Sequence, residues 1–217
     1  MIASILISCI GESTSIVFSK AMDEDTNFSF NFFGLDASRD AIGFRTNRVN
    51  QVDPGSERDL IKGTFKNFGF ETRLLSKYSL FDKKATFLIG SKFYKANNTN
   101  MQGPGSNNSD ADFEYYNNEY PNYPRQSDSK FPNLNVSLFG ENIVYLNDKW
   151  SVTPGVRFEY INTKRDEIIK DIVTDAAGNV INDNLREEKE TNERTFLLLG
   201  VGTSYKKSKA LEFYGNI

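Results

Sequence analysis

Arginine and tyrosine are the residue types in this chain best suited to recognising a small molecule. Arg39, Arg45, Arg48 and Arg125 fall in or beside polar stretches, and Tyr115, Tyr116, Tyr120 and Tyr123 crowd one of them. A guanidinium offers a planar fork of donors that matches a carboxylate two bonds at a time. Tyrosine adds a ring face and a hydroxyl. Together they suit the capture of an anion. Catalytic chemistry is poorly supplied. The 217 residues contain no histidine and a single cysteine, Cys9. That removes His-based triads, most zinc sites and any disulfide framework. Asp110, Asp112 and Glu114 alternate as oxygen ligands of a hard cation would, but the EF-hand spacing is absent and no metal site is expected. Carboxylate runs such as Glu187-Glu188-Lys189-Glu190 read as solvated surface rather than as acid–base pairs. The chain is therefore not expected to be an enzyme.

The elements that must position these residues are β-strands. Residues 133–160 read as two strands joined at Asn147, Asp148 and Lys149. On the second strand, Trp150, Val152, Pro154, Val156, Phe158 and Tyr160 share one face. Ser151, Thr153, Gly155, Arg157 and Glu159 share the other. The same unit recurs. Strands are expected over residues 14–21, 26–34, 63–80, 85–95, 133–146, 150–161, 195–205 and 210–217, with residues 1–13 as an irregular start. The turns near residues 24, 83, 148 and 207 are short. Those over residues 35–62, 96–130 and 163–192 are long and polar, and the last holds Asp175 to Asn179, a candidate small hairpin.

Long strands with short turns at one end and long loops at the other are the pattern of an outer-membrane β-barrel. The expected fold class is all-β: an antiparallel transmembrane β-barrel, partial, of about eight strands, with short periplasmic turns and long extracellular loops. The apolar rows then face lipid. Thr72 and Asn142 are polar positions on that face, and Tyr78, Tyr145, Trp150 and Tyr205 fit an aromatic girdle. Arg73, Arg157 and Glu159 are expected to face the lumen. No run of about 18 apolar residues exists, so a transmembrane helix is excluded. The net charge of −3 gives no basic surface for nucleic acid.

The stretch Phe139-Gly140-Glu141-Asn142, followed by residues 146–160 with their Gly155-Val156-Arg157-Phe158-Glu159 strand, resembles TonB-dependent outer-membrane receptors. The likeness is to the ferric-citrate and siderophore group, in the Asn- and Lys-rich style of Bacteroidota, and covers residues 14–217. It implies that residues 14–217 form part of a receptor barrel of about 22 strands, without the plug domain. It also implies a ferric chelate as transported ligand and no cofactor. The implied partners are outer-membrane lipid, lipopolysaccharide and, through an N-terminal part not seen here, TonB. Arg39, Arg45, Arg48, Tyr115, Tyr116 and Arg125 are candidates for contacting such a chelate by residue type and by their place in or beside the expected outer loops, not by a family motif. A closed eight-stranded barrel with a structural or adhesive role is the alternative.

Overall fold

A computed structural model describes residues 6–44, 55–107, 112–115 and 126–217. All regular structure among them is β-strand. The strands are β1 (Leu6–Ala21), β2 (Thr26–Gly43), β3 (Asp59–Leu80), β4 (Lys83–Pro104), β5 (Gln126–Tyr145), β6 (Trp150–Thr174), β7 (Val180–Ser208) and β8 (Leu211–Asn216). Each pairs antiparallel with the next in sequence, giving one sheet in the order β1 to β8. Among the described residues no ladder joins β1 to β8. The sheet is open, so the closed eight-stranded alternative is not the arrangement found.

The eight strands and four short turns fall where the sequence places them, but the strands are longer. β1 begins at Leu6, so residues 6–13 are strand rather than irregular. β2 and β3 extend into the expected loop as far as Gly43 and from Asp59. β4 reaches Pro104 and β5 starts at Gln126. The expected loop over residues 163–192 is almost wholly strand: β6 and β7 pair from Trp150↔Tyr205 up to Thr174↔Val180, with only residues 175–179 between them. The reason is physical. Beyond the bilayer both faces of a strand meet water, so nothing requires an apolar alternation. The backbone ladder alone holds the hairpin, and polar composition no longer separates strand from loop.

Within the band that faces lipid, the outward positions are mostly apolar. Directly paired residues share a face, and the register carries the outward rows across the sheet. Phe32, Phe70, Phe93 and Val136 are successive partners. Phe70 stacks on Phe30 and on Phe93, with ring centroids 5.9 and 5.4 Å apart. Among the described residues the only buried apolar side chains are Ile42, Leu60, Ala85, Ala96 and Pro104. A water-soluble sheet of this size would bury its phenylalanines and leucines. Here Leu199 is 76 % exposed. The outward face has hydrocarbon as its solvent.

Thr72 and Asn142, polar positions on that face, find lateral partners for the hydroxyl and the amide nitrogen, while the Asn142 side-chain oxygen has none among the described residues. The hydroxyls of Thr72 and Ser91 share a hydrogen bond of 2.8 Å. The side-chain nitrogen of Asn142 donates to the Tyr78 hydroxyl at 2.8 Å. At the turn end, Trp150 packs on Tyr205 with centroids 4.7 Å apart, and Tyr78 meets Phe87 edge to face. These form the aromatic girdle. Tyr145 is an exception: it pairs with Ser151 and so lies on the inward face by register.

Candidate functional site

The inward face is built in rows by the same register. One row runs Arg73, Gly90, Phe139, Arg157, Leu198 across β3 to β7. The next row toward the loops runs Glu71, Lys92, Ser137, Glu159, Phe196. β3 and β6 run in opposite directions. The sequence order Glu71-Thr72-Arg73 and its reverse, Arg157-Phe158-Glu159, therefore put both arginines in one row and both glutamates in the other.

Each pair is an ion pair along its own strand. Arg73 Nε lies 2.5 Å from Glu71 Oε1. Arg157 Nε donates to Glu159 Oε1. The second pair is the better supported. Glu159 is only 7 % exposed. Its other oxygen accepts from Asn135 Nδ2 at 2.9 Å, and Arg157 Nη2 donates to the Ser137 hydroxyl at 3.1 Å. The Arg157 guanidinium lies 5.4 Å from the centroid of Phe139, within range of a cation–π contact. Phe139 in turn lies over Gly90, where an added Cβ would come within 2.4 Å of the ring. Phe33 covers Gly69 in the same way, at 2.6 Å, and Lys92 lies 5.9 Å from the Phe33 centroid. Glycine on one strand thus admits an aromatic ring from its neighbour, and a cation rests on each ring.

Arg39 belongs to the same inward face but to a distant row. It is in β2, not a loop, and pairs with Cys9 and Gly63. Gly63 and Arg73 are ten positions apart on β3, about 34 Å at strand spacing. Arg39 and Arg73 cannot hold one small ligand together. Tyr115 takes a different position. It bridges to Gly105, and Lys62 Nζ lies 5.5 Å from its ring centroid. Lys62 pairs with Asp40 and Met101, on the outward face by register. The segment carrying Tyr115 therefore folds back outside the wall. Arg45, Arg48, Tyr116 and Arg125 lie outside the described residues, as does Asp110. Among the described residues no group of three or more metal-ligating side chains assembles.

A second inward cluster was not legible in the sequence. Arg165 contacts Glu188 at 2.7 Å and Glu167 at 3.5 Å, and Arg186 contacts Glu188 and Asp171 at 3.0 and 3.1 Å. Ser129 donates to Glu167 at 2.8 Å. The run of residues 187–190 is thus not a uniform solvated patch: Glu188 and Glu190 face inward and Glu187 and Lys189 outward, by register with Glu167, Arg165, Ile168 and Asp166. The period-two alternation of that run was the available signal. At the tip of the same hairpin, Asp175 accepts from the side-chain and backbone nitrogens of Asn179 and from Ala177 N. The side-chain bond from Asn179, then its backbone bond, hold the Asp175 carboxyl below its ordinary pKa.

Residues 12–217 match the model of the family described as TonB dependent receptor-like, beta-barrel. Three solved structures share the fold. The ferric-catecholate import receptor Fiu of E. coli K12 superposes with a TM-score of 0.70 at 11 % identity, over 97 % of this chain and 32 % of its own. The ferric citrate transporter FecA does so at 0.67 and 14 %, over 97 % and 27 %. The ferric yersiniabactin uptake receptor FyuA of Yersinia pestis does so at 0.62 and 9 %, over 97 % and 28 %. The chain spans a third or less of each of those proteins. No curated protein matches it in sequence.

Proposed function

The chain belongs to the TonB-dependent receptor-like β-barrel family, and from that premise we propose that it forms part of the wall of a receptor importing a ferric chelate of the citrate or siderophore type. Barrels of this family sit in the outer membrane of Gram-negative bacteria. Import would be energised through TonB, reached by a part of the receptor other than this wall. The iron is cargo, carried within the chelate, and no resident cofactor takes part.

The observation that supports this reading is the inward row of Arg73 and Arg157, backed by the row of Glu71, Lys92 and Glu159. Each glutamate fixes its arginine by one edge of the guanidinium. Other N–H donors remain to meet the carboxylate or catecholate oxygens of an anionic chelate. The glycines keep the wall thin there, so that aromatic rings lie flat along it. Arg39, toward the loop end of the same inward face, belongs to the approach in this reading.

The test is growth and uptake. The receptor carrying this barrel segment is expressed in a Gram-negative strain stripped of its own ferric-chelate receptors. Uptake of labelled ferric citrate and of a ferric catecholate is measured with and without TonB. TonB-dependent uptake of one of them, reduced about tenfold or more by Arg73→Gln with Arg157→Gln, is the expected result. Normal surface assembly with uptake of neither chelate would overturn the reading.

A further inference from the structure

The outward face carries, toward its loop end, a feature that import through the lumen does not use. Its last aromatic-rich row runs Phe70, Phe93, Val136 and Tyr160 across β3 to β6. The row beyond runs Phe68, Lys95, Leu134 and Asn162. The next holds Lys66, Asn97 and Pro132, and Lys164, two residues past Asn162 on β6, stands at the same height. The one after holds Thr64, Thr99, Lys130 and Asp166. Lys66, Lys95, Lys130 and Lys164 are therefore four outward cations within three rows of four adjacent strands, and all four are exposed. The β1 and β2 positions of those rows hold Glu12 and Asp36 and no cation.

Their pairing differs from that of the inward cations. Arg73, Arg157, Arg165 and Arg186 each meet a glutamate. Outward, Lys66 reaches Asp36 at 3.5 Å with both side chains more than half exposed, a contact worth little. Asp166 lies 4.0 Å from Lys189 and makes no ion pair with Lys130. Among the described residues Lys95, Lys130 and Lys164 have no ion-pair partner. Lys66 and Lys95 are diagonal neighbours on β3 and β4, as Lys130 and Lys164 are on β5 and β6. The two couples stand two strands apart, about 10 Å. Neutral Asn97, Thr99 and Pro132 lie between them. Apolar surface adjoins them on the turn side: Phe68 is 45 % exposed, with its ring centroid 6.0 Å from that of Phe93.

We propose that these two lysine couples bind the two phosphates of a bis-phosphorylated glycolipid of the outer leaflet, whose acyl chains lie against Phe68, Phe93 and Leu134. The long loops of such barrels are extracellular, so the lipid that meets this height belongs to the outer leaflet. Lysine stems lie along the apolar wall and carry their ammonium groups to headgroup phosphate. Charge complementarity selects the occupant. Two cationic points with neutral surface between them suit a disaccharide phosphorylated at both ends better than a phospholipid with one phosphate. The inference rests on the outer-membrane placement of the barrel and not on which chelate is carried.

The receptor carrying this barrel segment, freed of bound lipid in detergent micelles, is titrated with lipid A bearing two phosphates, one or none. Bound lipid is counted by native mass spectrometry. Each phosphate is expected to tighten binding about fivefold, the size of one unscreened lysine contact. The preference is expected to fall as salt rises. Lys66→Gln/Lys95→Gln and Lys130→Gln/Lys164→Gln should each bring the two-phosphate form down to the one-phosphate level. Lys207→Gln/Lys209→Gln, at the turn end, should leave the series unchanged. Equal binding of the three forms by the unaltered protein would overturn the proposal. So would a series unchanged in both double variants, or phosphatidylglycerol bound as tightly as the two-phosphate form. A preference abolished by millimolar inorganic phosphate would mark a site for free anions and overturn it as well. Should a double variant not assemble, the phosphate series and its salt dependence in the unaltered protein decide the matter. The uptake assay above is independent of this outcome.

Discussion

Arg73 and Arg157 stand in one row of the inward face, three strands apart, and each is held by a glutamate two residues away on its own strand. The two pairs are chemically alike and differ in burial. Side-chain exposure is 56 and 20 % for Arg73 and Glu71, against 39 and 10 % for Arg157 and Glu159. Glu159→Ala, which strips Arg157 and Asn135 of their acceptor, is expected to lower stability by about 1–3 kcal/mol. Glu71→Ala is expected to cost about 1 kcal/mol or less. Urea midpoints of the receptor in detergent micelles check the order. Equal effects would mean that Asn135 and Ser137 add nothing to the second pair.

Gly90 sits under Phe139, and its missing Cβ is also 2.5 Å from the backbone oxygen of Thr72. Gly90→Ala must displace both ring and backbone, at a cost of about 1–3 kcal/mol. The ring would leave Arg157 as it moves. Adding Phe139→Ala is expected to recover only part of the loss, because the Thr72 oxygen remains. Full recovery in a double-mutant cycle would assign the strain to the ring alone.

Leu198 and Leu199 are adjacent and face opposite solvents. Leu199 pairs with Val156 on the lipid side, and Leu198 pairs with Arg157 on the inward side. Leu199→Arg is expected to cost about 2–4 kcal/mol near the bilayer midplane, whereas Leu198→Arg is tolerated. Heat-modifiable gel mobility of folded protein extracted from membranes distinguishes them. The reverse order would invert the assignment of the faces.

The Asp175 carboxyl is held below its ordinary value by bonds from Asn179 and from backbone nitrogens. A carboxylate with a lowered folded pKa contributes its stability above the unfolded value. That contribution fades as pH falls through the lowered one. The hairpin tip is therefore expected to stay protected at neutral pH and to open below the ordinary aspartate value of 3.8. Hydrogen exchange at the Asn179 amide should rise there, after correction for intrinsic rate. Asp175→Ala should show the faster exchange at every pH.

Much of the architecture was legible in the chain itself. The period-two rows through residues 150–160 and 68–80, and the Asn147–Lys149 and Phe81–Lys84 turns, determine strands, turns and faces locally. A side chain's face follows from parity alone. The absence of histidine settled which chemistries were unavailable. The same parity placed Arg73, Arg157 and Glu159 inward. Where both faces meet water, parity leaves no trace in composition. The β6–β7 hairpin, the strand position of Arg39 and the Arg165–Glu188 cluster stayed hidden for that reason. Tertiary structure alone decided which rows coincide. Register between strands is a long-range quantity, fixed by pairing across the sheet. It brings Arg73 level with Arg157, 84 positions later in the chain, while holding Arg39 about 34 Å away along the strands.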